Sequence, residues 1–335
     1  MDTDDSDDPG YNGHRRDFED PFDAAQRTNV EDEGRGLNCE IQTYESRLNS
    51  RGERLVLQSG KRNRLPQPRE VRAQDFHSAL VVVKTYDKNV RLEKTELHIQ
   101  SPHVKKPLRH VVKEYPGMNL DASKITIEGL PKCFFHYRKE LAEYGATLDD
   151  PVAAQHLVFT LQYMYRVLQD QSWNYINWME SPNVVPGLLC ENLWMAFRPG
   201  DLIYSEVDHE HRVYRFSSMY QSKFLFSNEP GDWVINALII SYDGKDFGHK
   251  VRFLRVRGYD HYKPLTKLAV FPLRFHSDTA AIYKDVVARG KRYIGLRGVH
   301  HIEYSGKAEM LSHTRRDTLE GEEDEYPIRT QMVSG

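Results

Sequence analysis

The stretch at residues 193–275 constrains the fold of this chain more than any other part. It is dense in aromatic and β-branched residues, and glycine-containing turns interrupt it. Short runs of this kind between tight turns are typical of antiparallel strands. Such strands must hide their edges, either by closing into a barrel or under a covering helix. The sequence therefore predicts a small, partly open, antiparallel β-barrel-like module at about residues 193–275.

The individual strands follow from the pattern of apolar residues within this module. The pattern predicts strands at residues 202–207, 212–220, 233–242, 251–257 and 265–273. Residues 237–240 are apolar at consecutive positions, so both faces of that strand should be covered and the strand should be central. We expect Trp194 and Trp233 to anchor the core, because large aromatic side chains dominate the burial in such modules.

Residues 74–184 have the pattern of an α/β support region. An apolar, β-branched run predicts a strand at residues 79–87, and helices are predicted near 102–115, 131–144 and 151–178. The last helix carries four apolar residues on one face, at spacings of four, three and four: Leu157, Leu161, Met164 and Leu168. A stripe of this kind packs into a core. Together with the β-rich module, these elements predict an α+β fold.

The two ends of the chain are polar. Residues 1–73 begin with an acidic block and continue with a basic one, and residues 309–335 include the acidic run EGEEDEYP. Their few large apolar residues cannot offset the entropy of ordering the backbone. We therefore expect a disordered N-terminal tail at residues 1–73 and a loosely ordered tail at 309–335.

Charge, cysteine content and the N-terminus bear on the compartment. The net charge of −3 gives no global field that favours nucleic acid or an anionic membrane. The three widely spaced cysteines fit neither a disulfide framework nor a zinc site. The N-terminus lacks the basic start and apolar core of a secretory signal, and no apolar run approaches the roughly 20 residues of a membrane span. We expect an intracellular protein, cytoplasmic or nuclear, that is not secreted and has no membrane partner.

Catalytic and metal-binding motifs are missing from the sequence. Four Gly-Lys pairs occur, but none has a glycine five residues earlier or a Ser or Thr after the lysine, as a Walker A loop requires. His209 and His211 would share a strand face, yet no third ligand is placed near them, and a polar turn accounts for both. The sequence predicts no enzyme activity, no cofactor and no metal site. A hydrolase with an unrecognised site has no motif in its favour.

A basic hairpin at residues 242–257 is the candidate binding site. It carries five cations among three aromatic residues: Lys245, Lys250, Arg252, Arg255 and Arg257, with Tyr242, Phe247 and Phe253. Interleaved cations and aromatics are what barrels that bind single-stranded nucleic acid use. The same pattern also fits the solvated face of an outer strand, and Asp243 and Asp246 dilute the positive field. Both interpretations stay open on the sequence.

Several motifs in the β-rich part resemble those of one protein family. They stand at residues 191–194, 197–201, 233–248, 268–273 and 289–308. They resemble the uncharacterised N-terminal domain that precedes the ATPase module in a family of filamentous-fungal AAA+ ATPases. The resemblance covers about residues 185–308 and, more weakly, the helices from residue 131. It implies a β-rich, AAA+-associated domain at 185–308 whose motifs are structural turns and core aromatics.

In that family the chain continues into an ATPase module with Walker A and B motifs, which the 335 residues here lack. A fragment, a truncated gene product and a stand-alone paralogue all fit this pattern. The resemblance implies a non-catalytic accessory domain that recognises substrates or adaptors, so we expect a protein partner. A nucleic-acid-binding module that uses the basic hairpin at 242–257 is the alternative.

Overall fold

The computed structural model describes residues 35–49, 52, 54–59, 77–222, 230–243 and 245–298. In these ranges the fold is mixed α+β, as predicted, with two five-stranded sheets and a two-stranded ribbon. Contacts divide the chain into two compact units. The first unit takes in the described residues up to Ile239 together with His249–Thr279, and the second takes in Ile240–Gly248 and the described residues from Ala280 onward.

The first sheet has the strand order β2-β1-β3-β4-β5. Its strands are β1 (Asn38–Leu48), β2 (Arg54–Gln58), β3 (Ser78–Tyr86), β4 (Leu92–Ile99) and β5 (Ile125–Glu128). β1 and β3 are parallel, and the other neighbours are antiparallel. β3 is buried along most of its length, which fits its position at the centre of the sheet.

The prediction of a disordered tail at residues 1–73 is wrong for β1 and β2. The side chain of Tyr44 is 1% exposed and packs with Val81 and Val83, and Val56 lies against this cluster. β1 therefore gains its order from pairing with β3, a partner that its own polar composition does not reveal. The rest of the predicted tail lies outside the described residues, except for short pieces beside these strands, and so do residues 309–335.

Five helices precede the second sheet: α1 (Pro102–Val112), α2 (Lys132–His136), α3 (Arg138–Ala146), α4 (Pro151–Val167) and α5 (Gln169–Met179). The predicted helices at 131–144 and 151–178 are each broken once, at Tyr137 and at Leu168. Asp150 caps α4 by accepting a hydrogen bond from the Val152 N–H at 2.9 Å. In the predicted stripe Leu157, Met164 and Leu168 are buried, which confirms its core role, and Leu161 is half-buried.

The second sheet has the strand order β10-β9-β8-β7-β12. Its strands are β7 (Leu202–Val207), β8 (Glu210–Gln221), β9 (Trp233–Tyr242), β10 (Phe247–Val256) and β12 (Val270–Pro272), and β6 (Gly187–Leu188) pairs with β11 (Lys263–Pro264) as a separate ribbon. The predicted strands at 202–207, 212–220 and 233–242 are confirmed. β9 is interior, as predicted, although Ile240 is 60% exposed.

The predicted barrel-like closure at residues 193–275 is wrong, because this sheet is open. Residues 265–273 do not form one long strand. Two short 3-10 turns, Leu265–Lys267 and Leu273–Phe275, flank the three-residue β12. Pro264 and Pro272 lack the N–H groups that a longer ladder needs, and β12 pairs with β7 at the edge opposite β10.

A further helix, α6 (Thr279–Gly295), follows the second sheet in the chain. The helix continues past Gly290 and ends at Gly295. Ile282 is its buried residue. None of the helices in the described ranges combines the length and the apolar character that crossing a membrane requires.

A buried histidine joins α2 to the 3-10 segment Cys190–Ala196. The Nε2 of His136 lies 3.0 Å from the carbonyl oxygen of Trp194. Nε2 is therefore the protonated ring nitrogen, and its N–H donates a hydrogen bond to this carbonyl. Nδ1 then accepts a hydrogen bond from the Tyr115 hydroxyl at 2.9 Å. Burial lowers the pKa of His136 to about 3, so the ring is neutral in the folded protein.

A second histidine holds the start of β1 against α1 in the same way. The Nε2 of His156 donates to the Leu37 carbonyl at 3.1 Å, and Nδ1 accepts from the Ser101 hydroxyl at 2.9 Å. Burial lowers the pKa of His156 below its ordinary value. Gly36 has a φ of +69° and lies against the backbone of Gln100 and Ser101, where a Cβ would overlap those atoms. Both histidines therefore serve as neutral structural links.

We expect the free energy of unfolding to fall as the pH drops below about 6.5, the ordinary pKa of histidine. The unfolded chain then binds a proton at His136, whereas the folded chain, with a pKa of about 3, does not. The stabilisation is complete above the unfolded-state pKa and is lost toward the folded-state pKa, at roughly 1.4 kcal/mol per pH unit for one site. Urea unfolding of the wild type and of His136→Gln between about pH 7 and pH 5 measures the difference in slope.

His209→Gln is the matched control, because the side chain of His209 is 99% exposed. Its unfolding free energy should depend on pH as that of the wild type does. Identical slopes in the wild type and in His136→Gln would show that His136 is not a buried neutral link.

Candidate functional site

β10 is the end strand of the second sheet, and no strand in the described ranges pairs with its outer edge. Alternate backbone N–H and C=O groups therefore point away from the sheet. The side chains of β10 are exposed along most of the strand, and burial is complete only at Val256. Such an edge can accept the backbone of another extended chain as an additional strand.

The two faces of β10 differ in chemistry between residues 250 and 255. Because side chains alternate along a strand, Lys250 and Arg252 share one face, and Val251 and Phe253 share the other. Val251 is 48% exposed and Phe253 is 58% exposed. We call residues 250–255, with their outward-facing backbone, the edge surface. It combines hydrogen-bonding capacity, positive charge and apolar area.

The base of β10 is fixed to the core of the first unit. The indole N–H of Trp233 donates to the Cys190 carbonyl at 2.8 Å. Asp232, which precedes Trp233 in the chain, accepts a hydrogen bond from the Gly258 N–H at 2.8 Å. The carboxylate of Asp232 also lies 3.9 Å from the Arg255 guanidinium. Trp233 is 4% exposed and Trp194 is 3% exposed, which confirms both as core anchors. These contacts anchor the C-terminal end of the edge surface to the core of the first unit.

The structure does not bring the five predicted cations onto one face. Lys250 and Arg252 lie together, and neither has an ion pair with a described residue. Arg255 lies on the opposite face of β10, near Asp232, and Arg257 follows the end of the strand. Lys245 lies in the turn of the second unit, where its N–H bonds to the Asp243 carboxylate at 2.8 Å.

The aromatic residues of the hairpin are mostly engaged with one another. The rings of Tyr242 and Phe247 lie 4.8 Å apart, and Phe247 also contacts Tyr293 of α6 at 5.7 Å. Stacking of bases on a protein needs open ring faces. Phe253 is the exposed aromatic of β10, and it lies on the face opposite Lys250 and Arg252.

The turn that leads into β10 is organised by one carboxylate. Asp243 accepts hydrogen bonds from the backbone N–H groups of Asp246 at 2.7 Å and Lys245 at 2.8 Å. These bonds hold the pKa of Asp243 below its ordinary value. In the same unit, Arg297 lies 3.7 Å from Asp246. Asp243 therefore stabilises the turn, and Asp246 pairs with Arg297.

Sequence reasoning missed the apolar half of the edge surface. It singled out the cations and counted Phe253 as a partner for bases, and it left an outer strand as one of two open interpretations. The signal was present in the alternation of cations with Val251 and Phe253, because natural end strands often carry Lys and Arg that discourage unwanted pairing. Which strand lies at an edge, however, depends on the pairing of β12 with β7.

The other candidate residues have structural partners. His211 Nδ1 lies 2.9 Å from the Tyr204 hydroxyl, and His209 Nδ1 lies 3.5 Å from Glu206. Within the described part of the chain, no three His, Cys, Asp or Glu side chains are grouped so that they could hold a metal ion. Cys133 is fully buried, and burial raises the pKa of its thiol.

Several motif residues that carry the family resemblance also form internal links. Arg198 pairs with Glu140 of α3, and its guanidinium lies 4.0 Å from the ring centroid of Tyr137. Gly200 has a φ of +90°, which favours glycine in the turn before β7. Asp201 bonds to Arg274. The contacts of Arg198 join the segment before β7 to α3, and the contact of Asp201 joins it to the turn after β12.

A family model described as a domain of unknown function, DUF7025, matches residues 188–277. The match covers about a quarter of the chain and includes the whole second sheet. Neither the curated proteins nor the solved structures gave a match. Nothing in these comparisons links the chain to AAA+ ATPases, so that resemblance rests on the sequence motifs alone.

We expect Gly258→Ala to destabilise the base of β10. A Cβ at this position would overlap the carbonyl oxygen of Pro230, so the backbone must shift and the bond from Gly258 N–H to Asp232 must weaken. The cost should be about 2 kcal/mol in the free energy of unfolding, measured by urea titration. Gly248→Ala is the control, because nothing lies within 4 Å of a Cβ there, and it should change stability by less than about 0.5 kcal/mol. Equal effects of the two variants would contradict the fixed base.

Proposed function

We propose that this chain is a non-catalytic interaction domain that binds a protein partner by adding an extended segment of that partner to β10. The observation that carries this proposal is the unpaired outer edge of β10, exposed on both faces and fixed at its base. Backbone hydrogen bonds would supply affinity, and the side chains of the edge surface would supply specificity.

The length of β10 favours it over the other end strands. β10 has 10 residues, whereas β2 and β5, the end strands of the first sheet, have 5 and 4, and β12, the other end strand of the second sheet, has 3. Alternate residues of an edge strand bond outward, and each such bond contributes about 0.5–1.5 kcal/mol net. A longer edge therefore gives a larger total binding free energy for a peptide of the same composition. Leu55 and Leu57 make β2 partly apolar as well, which makes it a suitable internal control.

The charge of the edge surface favours an acidic partner segment. β10 carries Lys250, Arg252 and Arg255 and no acidic residue. Two cations side by side on one face attract carboxylates and repel basic segments. Val251 and Phe253 on the other face would accept apolar side chains at alternate positions. The proposed partner segment is thus extended, acidic on one face and partly apolar on the other.

The resemblance to the N-terminal domain of filamentous-fungal AAA+ ATPases supplies the wider context. In such motors an accessory domain recognises substrates or adaptors, and an edge that accepts extended segments suits that role. The matched family carries no assigned function. We therefore infer substrate or adaptor recognition without catalysis by this chain.

A displayed library of extended peptides, selected on the full chain, tests the proposal. The selected peptides should be acidic, and N-methylation of alternate residues on the bonding edge should reduce their affinity by at least about tenfold, because methylation removes backbone donors. Phe253→Glu should reduce binding by a similar factor. The matched control is Leu57→Glu on β2, which should leave the affinity unchanged.

Two results would contradict the proposal. One is a failure of the full chain to select any peptide. The other is binding that tolerates both Phe253→Glu and backbone methylation, since the peptides would then bind somewhere other than the edge of β10.

Binding of single-stranded nucleic acid is the second candidate function. The observation in its favour is that Lys250 and Arg252 lie on one face and have no carboxylate partner among the described residues. The engaged rings of Tyr242 and Phe247 and the opposite position of Phe253 weigh against a stacking platform.

If nucleic acid is the partner, Lys250→Glu combined with Arg252→Glu should abolish binding to a poly-dT oligonucleotide. Each phosphate contact contributes about −0.7 to the slope of log affinity against log salt for a single strand, so the slope of the wild type counts the contacts. Fluorescence anisotropy over a salt series measures both quantities. An affinity that the double variant leaves unchanged would remove this candidate.

A further inference from the structure

We propose that the outer face of α6 is a second interaction surface, which binds an amphipathic helix of a partner protein that carries acidic residues beside its apolar stripe. The residues of this face belong to the second unit and are separate from the edge surface of β10. The inference therefore does not depend on the proposed function. It goes beyond that function because it names another site and the kind of partner that the site accepts.

The outer face of α6 is a regular stripe along the helix. Small or apolar residues recur there at spacings of three, four, three and four. At 3.6 residues per turn, these spacings place all of them on one side of the helix, within an arc of about 80°. We call this set the outer stripe: Ala280, Tyr283, Val287, Gly290 and Ile294.

The outer stripe is exposed to solvent. Tyr283 is 55% exposed, Ile294 is 54% exposed and Val287 is 37% exposed. On the adjacent side of the helix, by contrast, the ring of Tyr293 lies 5.7 Å from that of Phe247 in the same unit. The helix thus uses one side for packing within its unit and leaves the outer stripe exposed. A contiguous row of exposed apolar side chains is typical of an interaction site.

Gly290 lies within the outer stripe, and no contact in the described chain accounts for it. A Cβ at this position would meet nothing within 4 Å, and the residue lacks the positive φ that favours glycine. Glycine inside a helix destabilises it relative to alanine. Glycine on a helix surface does, however, let another backbone approach closely. Close approach of a partner helix would account for glycine here.

The spacing of the outer stripe favours a helix as the occupant. Alternating steps of three and four residues average 3.5, which is the repeat with which two helices pack side by side. From Ala280 to Ile294 the stripe covers two such repeats, or about 21 Å. The stripe is also narrow, whereas a helix that lies in a membrane interface needs a broader apolar face with large residues.

Two lysines determine the charge that the partner needs. Lys284 follows Tyr283 and Lys291 follows Gly290, so both border the outer stripe on the same side, seven residues apart. Both are exposed, and neither has an ion pair with a described residue. Side chains that flank the apolar stripe of a helix pair form ion pairs across it and set partner choice. Glu or Asp at the facing positions of the partner is therefore favoured.

A second copy of α6 is a poorer occupant. An antiparallel pair would place the two lysines of one copy against those of the other, and like charges at these positions oppose pairing. A parallel pair would direct the lysines toward the side of the helix where Tyr293 already contacts Phe247. A helix with acidic flanks avoids both conflicts.

Binding of a synthetic helix to the full chain tests the inference. The probe is a fluorescein-labelled peptide of three heptads with Leu at both apolar positions and Glu at both flanking positions, and its twin carries Lys in place of Glu. In fluorescence anisotropy at low salt, the acidic peptide should bind at least about tenfold more tightly than the basic twin. Equal affinities, or binding of neither peptide, would overturn the inference.

Matched variants of α6 locate the binding. Val287→Glu should reduce the affinity for the acidic peptide by at least about tenfold, because it places a carboxylate in the apolar contact. Ala288→Glu is the control, since it adds the same side chain one position further, outside the outer stripe, and it should bind as the wild type does. Both positions are exposed, so both variants should fold, as circular dichroism checks. Binding that survives Val287→Glu, or that both variants lose equally, would contradict the assigned surface.

An exchange of charge tests the role of the two lysines. Lys284→Glu combined with Lys291→Glu should reverse the preference, so that the basic twin binds more tightly than the acidic peptide. Arg292→Glu, on the polar side of α6, should keep the preference of the wild type. A double variant that still prefers the acidic peptide would overturn the proposed partner chemistry.

Other sites and occupants give different results. If Phe253→Glu abolishes binding of the acidic peptide and Val287→Glu does not, the peptide binds at the edge surface, so this inference fails and the proposed function stands. Without peptide binding, two results would assign the outer stripe elsewhere and overturn the inference. One is binding of anionic phospholipid vesicles that Val287→Glu abolishes, and the other is a dimer of the full chain, seen in sedimentation, that Val287→Glu dissociates.

Discussion

The neutral side chain of His136 is the contact on which the first unit depends most directly. It bridges the Tyr115 hydroxyl and the Trp194 carbonyl, and burial keeps it uncharged by lowering its pKa to about 3. From Trp194 the connection continues within one 3-10 segment to Cys190, whose carbonyl accepts the indole N–H of Trp233 at the start of β9. A continuous series of buried polar contacts thus runs from α2 to the strand beside β10. Each contact matters because an unpaired polar group in this core would cost about 1–3 kcal/mol.

The open sheet supported by this core leaves β10 with an unpaired edge. A closed barrel would have satisfied that edge internally, but the short β12 pairs with β7 at the opposite side. Lys250 and Arg252 limit pairing with most other chains, since cations on an edge discourage aggregation. The same cations leave acidic segments as suitable partners. The proposed interaction function follows from this single feature and does not require a reactive pocket.

Local sequence patterns correctly predicted the strands and helices that depend mainly on residues close to them in the chain. The strands at 202–207 and 233–242, the cap at Asp150 and the buried stripe of α4 all follow from periodicity and turn residues. The failures concern long-range partners. β1 looks too polar to fold, yet Tyr44 packs on Val81 and Val83 of β3. The long strand predicted at 265–273 is divided because prolines and two 3-10 turns shorten it. For the site, the sequence identified the cations but could not decide between an outer strand and a nucleic-acid surface, because the position of β10 at an edge follows from the order of the strands in the sheet.

Residue-resolved amide hydrogen exchange of the full chain, measured by NMR at about 0.5 M salt, tests the free edge most directly. Successive amides of β10 should alternate between slow exchange, where the N–H bonds to β9, and fast exchange, where it points outward. Interior strand β3, which pairs with β1 on one side and with β4 on the other, should be protected from Leu80 to Thr85. Uniformly slow exchange along β10 under these conditions would mean that its outer edge is already paired, and it would contradict the account.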